Sequence, residues 1–337
     1  MYDFICKCLE FRAVSGISIM SYDFSKAFDK LPFHTVIDST TANSLPSDFI
    51  EWLKSYLSNR KQCVHIGNTI SSVLNVTSGV PQGSIIGPSI FACVMGDVNC
   101  VNNACFMLKY ADDVTCVCPI YRSSGNLHIL EEHNSFVEWS NSKGLILNNS
   151  KCKWLIYSKS NSCDYSLPLI STPVVNELRI LGIIFNKSLN WNTHVAHVMS
   201  TASKRLYCLR ILKRHIDCNK LLLIYNSCIR SILEYCPSLL VGLNVKLSTD
   251  LESIQKRAYR IIFGVNYCIP NHEKLCSRRH KASVKLFTKA LSSSHCLNCI
   301  LPHRSIFSNR YILPHISTTR RLNTFPIKTA TLLNLNM

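Results

Sequence analysis

Cys105-Phe106-Met107-Leu108-Lys109-Tyr110-Ala111-Asp112-Asp113-Val114-Thr115-Cys116-Val117-Cys118 is the stretch on which the reading of this chain turns. Two short apolar runs, Cys105–Tyr110 and Val114–Cys118, are separated only by Ala111-Asp112-Asp113, the spacing of a β-hairpin. Two carboxylates therefore sit at a tight turn. Asp-Asp is common in turns for structural reasons alone, because a short acidic side chain bonds its own backbone. What lies upstream gives this pair a different meaning. Ile17–Phe24 is another apolar run, read as a buried strand, and Asp23 closes it within Ser21-Tyr22-Asp23-Phe24-Ser25-Lys26-Ala27-Phe28-Asp29. Carboxylates at a strand end and at the turn of a neighbouring hairpin can converge on one point, and like charges brought that close need cations between them. Two Mg²⁺ ions, with Mn²⁺ as a substitute, would there activate a primer 3′-hydroxyl and stabilise a leaving pyrophosphate.

Around these residues the chain alternates helical and strand patterns. Helices are expected around Thr35–Asn43 and Asp48–Leu57, and two short strands, Gln62–Ile66 and Ser72–Val76, about Gly67-Asn68. A Gly/Pro-rich stretch, Ser78–Pro88, precedes an apolar run at Ser89–Val98 that fits a helix. Leu127–Trp139 reads as an amphipathic helix with Leu127, Leu130, Phe136 and Trp139 near one face. Strands follow at Lys153–Tyr157 and Arg179–Phe185. Mixed helices and antiparallel strands without a βαβ rhythm indicate an α+β domain ending near residue 190. From about Thr193 the pattern becomes helical. Val195, Val198, Ala202, Leu206, Leu209 and Leu212 recur at steps of three and four, as do Leu247, Leu251, Ile254, Ala258 and Ile261. Lys256, Arg257 and Arg260 fall mainly off that second stripe, free to meet solvent or phosphate. After Pro270 only short helical stretches such as His280–Leu291 remain, so residues 269–337 read as a basic tail or small third module.

Charge divides the chain more sharply than hydropathy. Residues 1–199 hold 15 Lys/Arg and 15 Asp/Glu, whereas residues 200–337 hold 22 and 5, so the whole net charge of +17 lies in the second part. Such a surplus in one region marks a polyanion-binding surface. There is no run of 18 apolar residues and no charged-then-apolar signal pattern at the start, so the expected location is intracellular, nucleus or cytoplasm, with no membrane partner. Eighteen cysteines in that setting are expected as reduced thiols, most of them buried small hydrophobes. Cys296 and Cys299 with His295 and His303, and His272, Cys276 and His280 upstream, are candidate zinc ligands without an established finger spacing.

The order of these segments resembles the reverse transcriptases. Tyr22–Asp29 is similar to motif A, Ser78–Pro88 (with Gly79-Val80-Pro81-Gln82-Gly83) to motif B, Tyr110–Asp113 to the Y-x-D-D box, Gly144–Lys151 to motif D, and Leu181–Phe185 to the primer-grip hairpin. The wording of motif A, the Gly79–Ser84 run and the Leu181-to-His194 run are most similar to jockey-like elements among the non-LTR retrotransposons. The resemblance implies a right-hand palm, an antiparallel sheet with packed helices, followed by an α-helical thumb. Residues 1–190 would be palm with part of the fingers, residues 191–268 thumb, and residues 269–337 the basic carboxy-terminal segment. It also implies roles. Asp23, Asp112 and Asp113 would hold the metals, with the Phe24 carbonyl as an extra ligand. Phe28 would exclude a ribose 2′-hydroxyl, Gln82 and Gly83 would meet the incoming nucleotide and template, and Lys151 would neutralise or protonate the pyrophosphate. Lys256, Arg257 and Arg260 would contact nucleic acid. The implied partners are an RNA template, a DNA primer and deoxynucleoside triphosphates.

Only 22 residues precede Asp23, so the fingers residues that hold the triphosphate, and the endonuclease domain such elements carry upstream, are expected to be missing. Two further readings stand beside a polymerase. One is an inactive truncated remnant that keeps only nucleic-acid binding; intact Asp23, Asp112, Asp113 and Gln82-Gly83 weigh against it. The other is an RNA-dependent RNA polymerase, against which Phe28 and Ala111 count.

Overall fold

The computed structural model describes all residues except 123–124, 161–166, 169, 265–272, 306–307, 309 and 336–337. The described chain forms two compact units, Ala13–Leu178 and a second made of Met1–Arg12 with Arg179–Met337. The division therefore falls at residue 178, where the sequence placed it near 190, and it sends the first twelve residues to the second unit. Helix α1 (Tyr2–Cys8) belongs there: Glu10 pairs with Arg321, and Thr324 donates to Asp3 at 3.1 Å.

The first unit is built on β1 (Val14–Tyr22), nine residues of which only Ser21 is not buried. It is followed by α2 (Ala27–Lys30), α3 (Phe33–Ala42) and α4 (Ser47–Leu57). Then come four two-residue strands, β2 (Lys61–Gln62), β3 (His65–Ile66), β4 (Thr69–Ile70) and β5 (Leu74–Asn75). The two strands expected here are thus a narrow ribbon, β2 with β5 and β3 with β4, turned by Gly67 at φ 58°. Next are α5 (Gly87–Val94), β6 (Phe106–Tyr110), β7 (Asp113–Tyr121), α6 (Leu127–Ser142), β8 (Lys153–Ser158) and β9 (Val174–Val175). Five strands form one sheet in the order β6-β7-β1-β8-β9, antiparallel except for β8 with β9. β1 lies between β7 and β8, so both its hydrogen-bonding edges are paired, and its residues are buried on both faces of the sheet, Ser15 and Ser18 included.

Helix α6 closes one face of that sheet with Phe136 and Trp139 toward the core, as expected, while Leu127 turns away from it. Leu127 is 64% exposed, and the buried positions are Ile129, Glu132, Phe136 and Ser140. The two polar members of this stripe hide it from a hydrophobic count. Phe136 is its anchor, stacked on Tyr22 at 4.1 Å and packed against Phe24 at 6.0 Å and Trp139 at 5.7 Å. On the β1–β8 side the Trp154 indole donates to Ser18 at 2.8 Å, so the polar atom of a large ring is satisfied in the core.

The second unit is mainly helical. The chain enters it through a hairpin whose first strand, β10 (Glu177–Ile180), begins in the last two residues of the first unit; with β11 (Ile183–Asn186) it turns through Leu181 and Gly182 at positive φ. Helices α7 (Asn192–Leu212), α8 (Cys218–Ile224), α9 (Ser231–Leu233) and α10 (Val245–Phe263) share one core containing Val198, Leu206, Leu221, Leu233, Leu251 and Ile254. Asn244 caps α10 by accepting from Leu247 N–H at 2.8 Å. Its buried stripe takes Ile262 where Ile261 was expected, and Lys256, Arg257 and Arg260 are exposed. The helices α11 (Leu275–Ala290), α12 (Thr319–Leu322) and α13 (Phe325–Leu335) complete the unit around Phe287, Ala290 and Ala330. No described helix is long and apolar enough to cross a membrane.

Phe136→Ala removes the ring that joins α6 to Tyr22 and Phe24. It should destabilise the protein by about 3–5 kcal/mol, as large-to-small changes at buried aromatics do, read as a lowered urea midpoint.

Candidate active site

The register of β1 on β7 decides where the carboxylates go. Ser21 pairs with Thr115 and Tyr22 with Val114, so the next residue outward on each strand, Asp23 and Asp113, come side by side. Asp112 is added by the hairpin: β6 and β7 pair Tyr110 with Asp113, leaving Ala111 and Asp112 as a two-residue turn with Ala111 at φ 51°. The electrostatics follow from this crowding. Partial burial, and then the negative charges of Asp112 and Asp23, push the Asp113 carboxyl above the ordinary carboxylate range. Asp23 Oδ2 is buried without a hydrogen-bond donor, and the cation near it is Lys151, with Nζ at 3.7 Å. A buried carboxylate oxygen with no donor, beside two more carboxylates, is a set of hard oxygen ligands that fits a divalent cation.

The segment before Lys151 is strapped to the end of β1. Ser25 N–H donates to Ile146 O, Asn148 N–H donates to Asp23 O, both at 2.8 Å, and Phe24 bridges Leu147. Gly144 starts this strap at φ 67°, where an added Cβ would lie 2.6 Å from the Pro32 ring. The Phe24 ring is buried against Phe136, which fixes the backbone at Asp23–Phe24.

A second loop, Ser78–Pro88, is held on the other side of α2. Gly79 N–H donates to Leu31 O and Val80 N–H to Phe28 O, both at 2.8 Å, while Ser78 Oγ donates to Asp29 O. A Cβ on Gly79 would meet Asp29 O at 2.5 Å, so the approach needs glycine. Gln82 Nε2 donates to the Asp29 carboxylate at 2.8 Å, which makes Asp29 the positioner of Gln82. Gly83 stands in open space at φ 79°. The Phe28 ring is half-buried against Phe91, centroids 4.6 Å apart. Beside this loop lies a cleft of about 830 Å³ lined by Lys26, Asp29, Arg60, Lys61 and Gln82 among others; the three carboxylates lie outside its lining. Lys26, Arg60 and Lys61 were not singled out in the sequence. Lys26 lies within the motif A segment, and Arg60 and Lys61 stand at the start of the ribbon that precedes the motif B segment. Arg60 has a structural duty as well, donating to Leu57 O and Gly79 O and lying over the Phe33 ring at 5.1 Å.

Residues 8–185, more than half of the chain, match the reverse transcriptase (RNA-dependent DNA polymerase) family. The chain belongs to that family. It is 24% identical over 265 residues to a probable RNA-directed DNA polymerase from transposon X-element of Drosophila melanogaster, covering 74% of this chain and 28% of the relative. It is 26% identical over 216 residues to the RNA-directed DNA polymerase from mobile element jockey of Drosophila funebris, covering 60% of this chain and 23% of the relative. Both relatives are enzymes of mobile elements, and the chain spans under a third of their length. A telomerase from Candida tropicalis, solved with a fragment of telomeric RNA, superposes with a TM-score of 0.43 at 12% identity over 88% of this chain and 50% of that one. That likeness is too loose to carry an argument.

In the other unit, Lys256, Arg257 and Arg260 stand in solvent on α10. The histidine and cysteine candidates do not assemble. His272 lies outside the described residues, Cys299 donates to Cys296 O, His295 accepts from Leu297 N–H, and among the described residues no metal-ligating cluster includes them.

The crowding at Asp113 gives a pH-dependent prediction. Its folded pKa lies above its unfolded one, so at low pH both states hold the proton and nothing is lost. As pH rises through the carboxylate range, the unfolded chain ionises more readily and the fold loses stability. Asp113→Asn in chelator should therefore match the parent melting temperature at acidic pH and exceed it at neutral pH. An equal or lower neutral-pH value would remove the repulsion from the account.

Proposed function

We propose that this chain supplies the nucleotidyl-transfer centre of a jockey-like RNA-directed DNA polymerase. The observation that carries the reading is the register that sets Asp23 beside Asp113, with Asp112 in the adjoining turn and Asp23 Oδ2 buried and unsatisfied. Asp23, Asp112 and Asp113, with the Phe24 carbonyl, would hold two Mg²⁺ or Mn²⁺ ions. When bound, the ions lower the pKa of the primer 3′-hydroxyl and neutralise the departing pyrophosphate. The chain's own side chains do the rest. Lys151, already drawn to Asp23, is exposed and can swing to the pyrophosphate oxygens. Phe28, backed by Phe91 and so unable to retreat, walls off the 2′-position of the sugar. Gln82, held by Asp29, and Gly83, which has no side chain to obstruct, meet the nucleotide and the template. Lys26 and Lys61 make the neighbouring cleft suited to a polyanion.

In this reading the Ala13–Leu178 unit is the palm, the helices within 191–268 are the thumb, and 269–337 is a basic extension. Lys256, Arg257 and Arg260 neutralise phosphates of the RNA template and DNA primer without reading sequence.

The test is primer extension by a chimera in which this chain replaces the matching segment of the jockey polymerase. Extension with deoxynucleotides on an RNA template should need Mg²⁺ or Mn²⁺. Asp23→Asn or Asp112→Asn should lower kcat by on the order of 10²-fold or more at nearly unchanged primer–template affinity. Phe28→Ala should raise the ribonucleotide-to-deoxynucleotide ratio of kcat/KM by roughly 10-fold or more. Persistent extension in Asp112→Asn would sink the catalytic reading, and unchanged sugar selection in Phe28→Ala would sink the gate.

A further inference from the structure

The inward face of β7 carries Val114, Cys116, Cys118 and Ile120, all buried. Opposite, α6 sends Glu132, only 2% exposed, into the same core, and the segment between α5 and β6 contributes half-buried Cys100. The sulfurs of Cys100 and Cys116 and a carboxylate oxygen of Glu132 all lie within 4.8 Å of one another. Cys118 Sγ is 3.6 Å from Cys116 Sγ. A carboxylate removed from water is costly unless strong partners surround it. Here the backbone N–H of Asn102 donates to Glu132 and fixes its direction toward the thiols. Nucleotidyl transfer has no use for this group, because the Asp23–Asp112–Asp113 cluster lies at the turn end of the same hairpin.

The donor set, thiols with a carboxylate, is one that zinc takes. Zn–S bonds of about 2.3 Å at tetrahedral angles place sulfurs roughly 3.8 Å apart, near the separation of Cys116 and Cys118. We infer that Cys100, Cys116 and Glu132 hold a structural Zn²⁺, with Cys118, whose sulfur neighbours that of Cys116, as the candidate for the fourth position. Each ligating thiol gives its proton to solvent as the metal–thiolate bond forms. With Cys118 in the fourth position, three thiolates and a carboxylate would give the site the same net charge as an all-cysteine zinc site. The ion ties α6 and the Cys100 segment to the strand that carries Asp113, so it would stiffen the hairpin from below. The alternative is an ordinary core of thiols around a protonated Glu132.

The chain is purified under reducing conditions with zinc present and desalted, and its metal is measured by mass spectrometry. Co²⁺ replacement is then followed by the thiolate-to-cobalt charge-transfer band. The wild type should carry one zinc per chain and show that band. Cys100→Ser, at the half-buried position best able to tolerate the change, should lose the zinc while circular dichroism stays native, and Glu132→Gln should weaken retention. Cys296→Ser with Cys299→Ser should keep it. A folded wild-type chain without zinc or band would overturn the inference, whether or not the variants fold. So would zinc that survives Cys100→Ser and leaves with Cys296 and Cys299.

Discussion

Repulsion between carboxylates that the sheet forces together is the constraint on which the rest of this structure depends. Asp23 and Asp113 are neighbours because β1 and β7 are antiparallel and paired Tyr22 to Val114. Neither side chain can leave without breaking that register, and a one-residue slip would turn every β1 side chain to the opposite face of the sheet. The cost appears as the raised pKa of Asp113 and as an unsatisfied oxygen on Asp23. Strain of this kind persists only where the surroundings over-determine it.

The surroundings do so with apolar contacts on one side and backbone hydrogen bonds on the other. Tyr22 and Phe24 flank Asp23 and both pack on Phe136, so the residue between them is anchored at both shoulders. The strap from Gly144 to Lys151 bonds the backbone on either side of Phe24. The Gly79–Gln82 loop closes on the backbone of Phe28, Asp29 and Leu31 just downstream. The fold thus puts stability from ordinary core packing next to a site that is poorly satisfied without a bound cation, and chain segments 120 residues apart meet within a few ångströms of one side chain.

What was legible in the sequence had a local cause. The β6–β7 hairpin was readable because two apolar runs flank two acidic residues, and β1 because burial on both faces leaves it without charged residues and with small serines between its apolar ones. Helix α10 was readable because its stripe is nearly all apolar, and the exposure of Lys256, Arg257 and Arg260 followed from it. Helix α6 was located with Phe136 and Trp139 on the right face, but Leu127 was misassigned, since Glu132 and Ser140 occupy buried positions that a hydrophobic pattern assigns to solvent. The attachment of the first twelve residues to the far end of the chain left no local trace at all: Glu10–Arg321 and Asp3–Thr324 join residues more than 300 positions apart. The cleft with Lys26, Arg60 and Lys61 was invisible for the same reason, because its walls come from three separate segments.

The central claim is that the three carboxylates form one cation site. Titrating the chain with Mn²⁺ and following the electron paramagnetic resonance signal of the free ion tests it most directly. The account predicts saturable binding to the wild type that is lost when Asp23→Asn and Asp112→Asn are combined, in a protein whose circular dichroism is unchanged. Binding of the same affinity and stoichiometry in that double variant would contradict it.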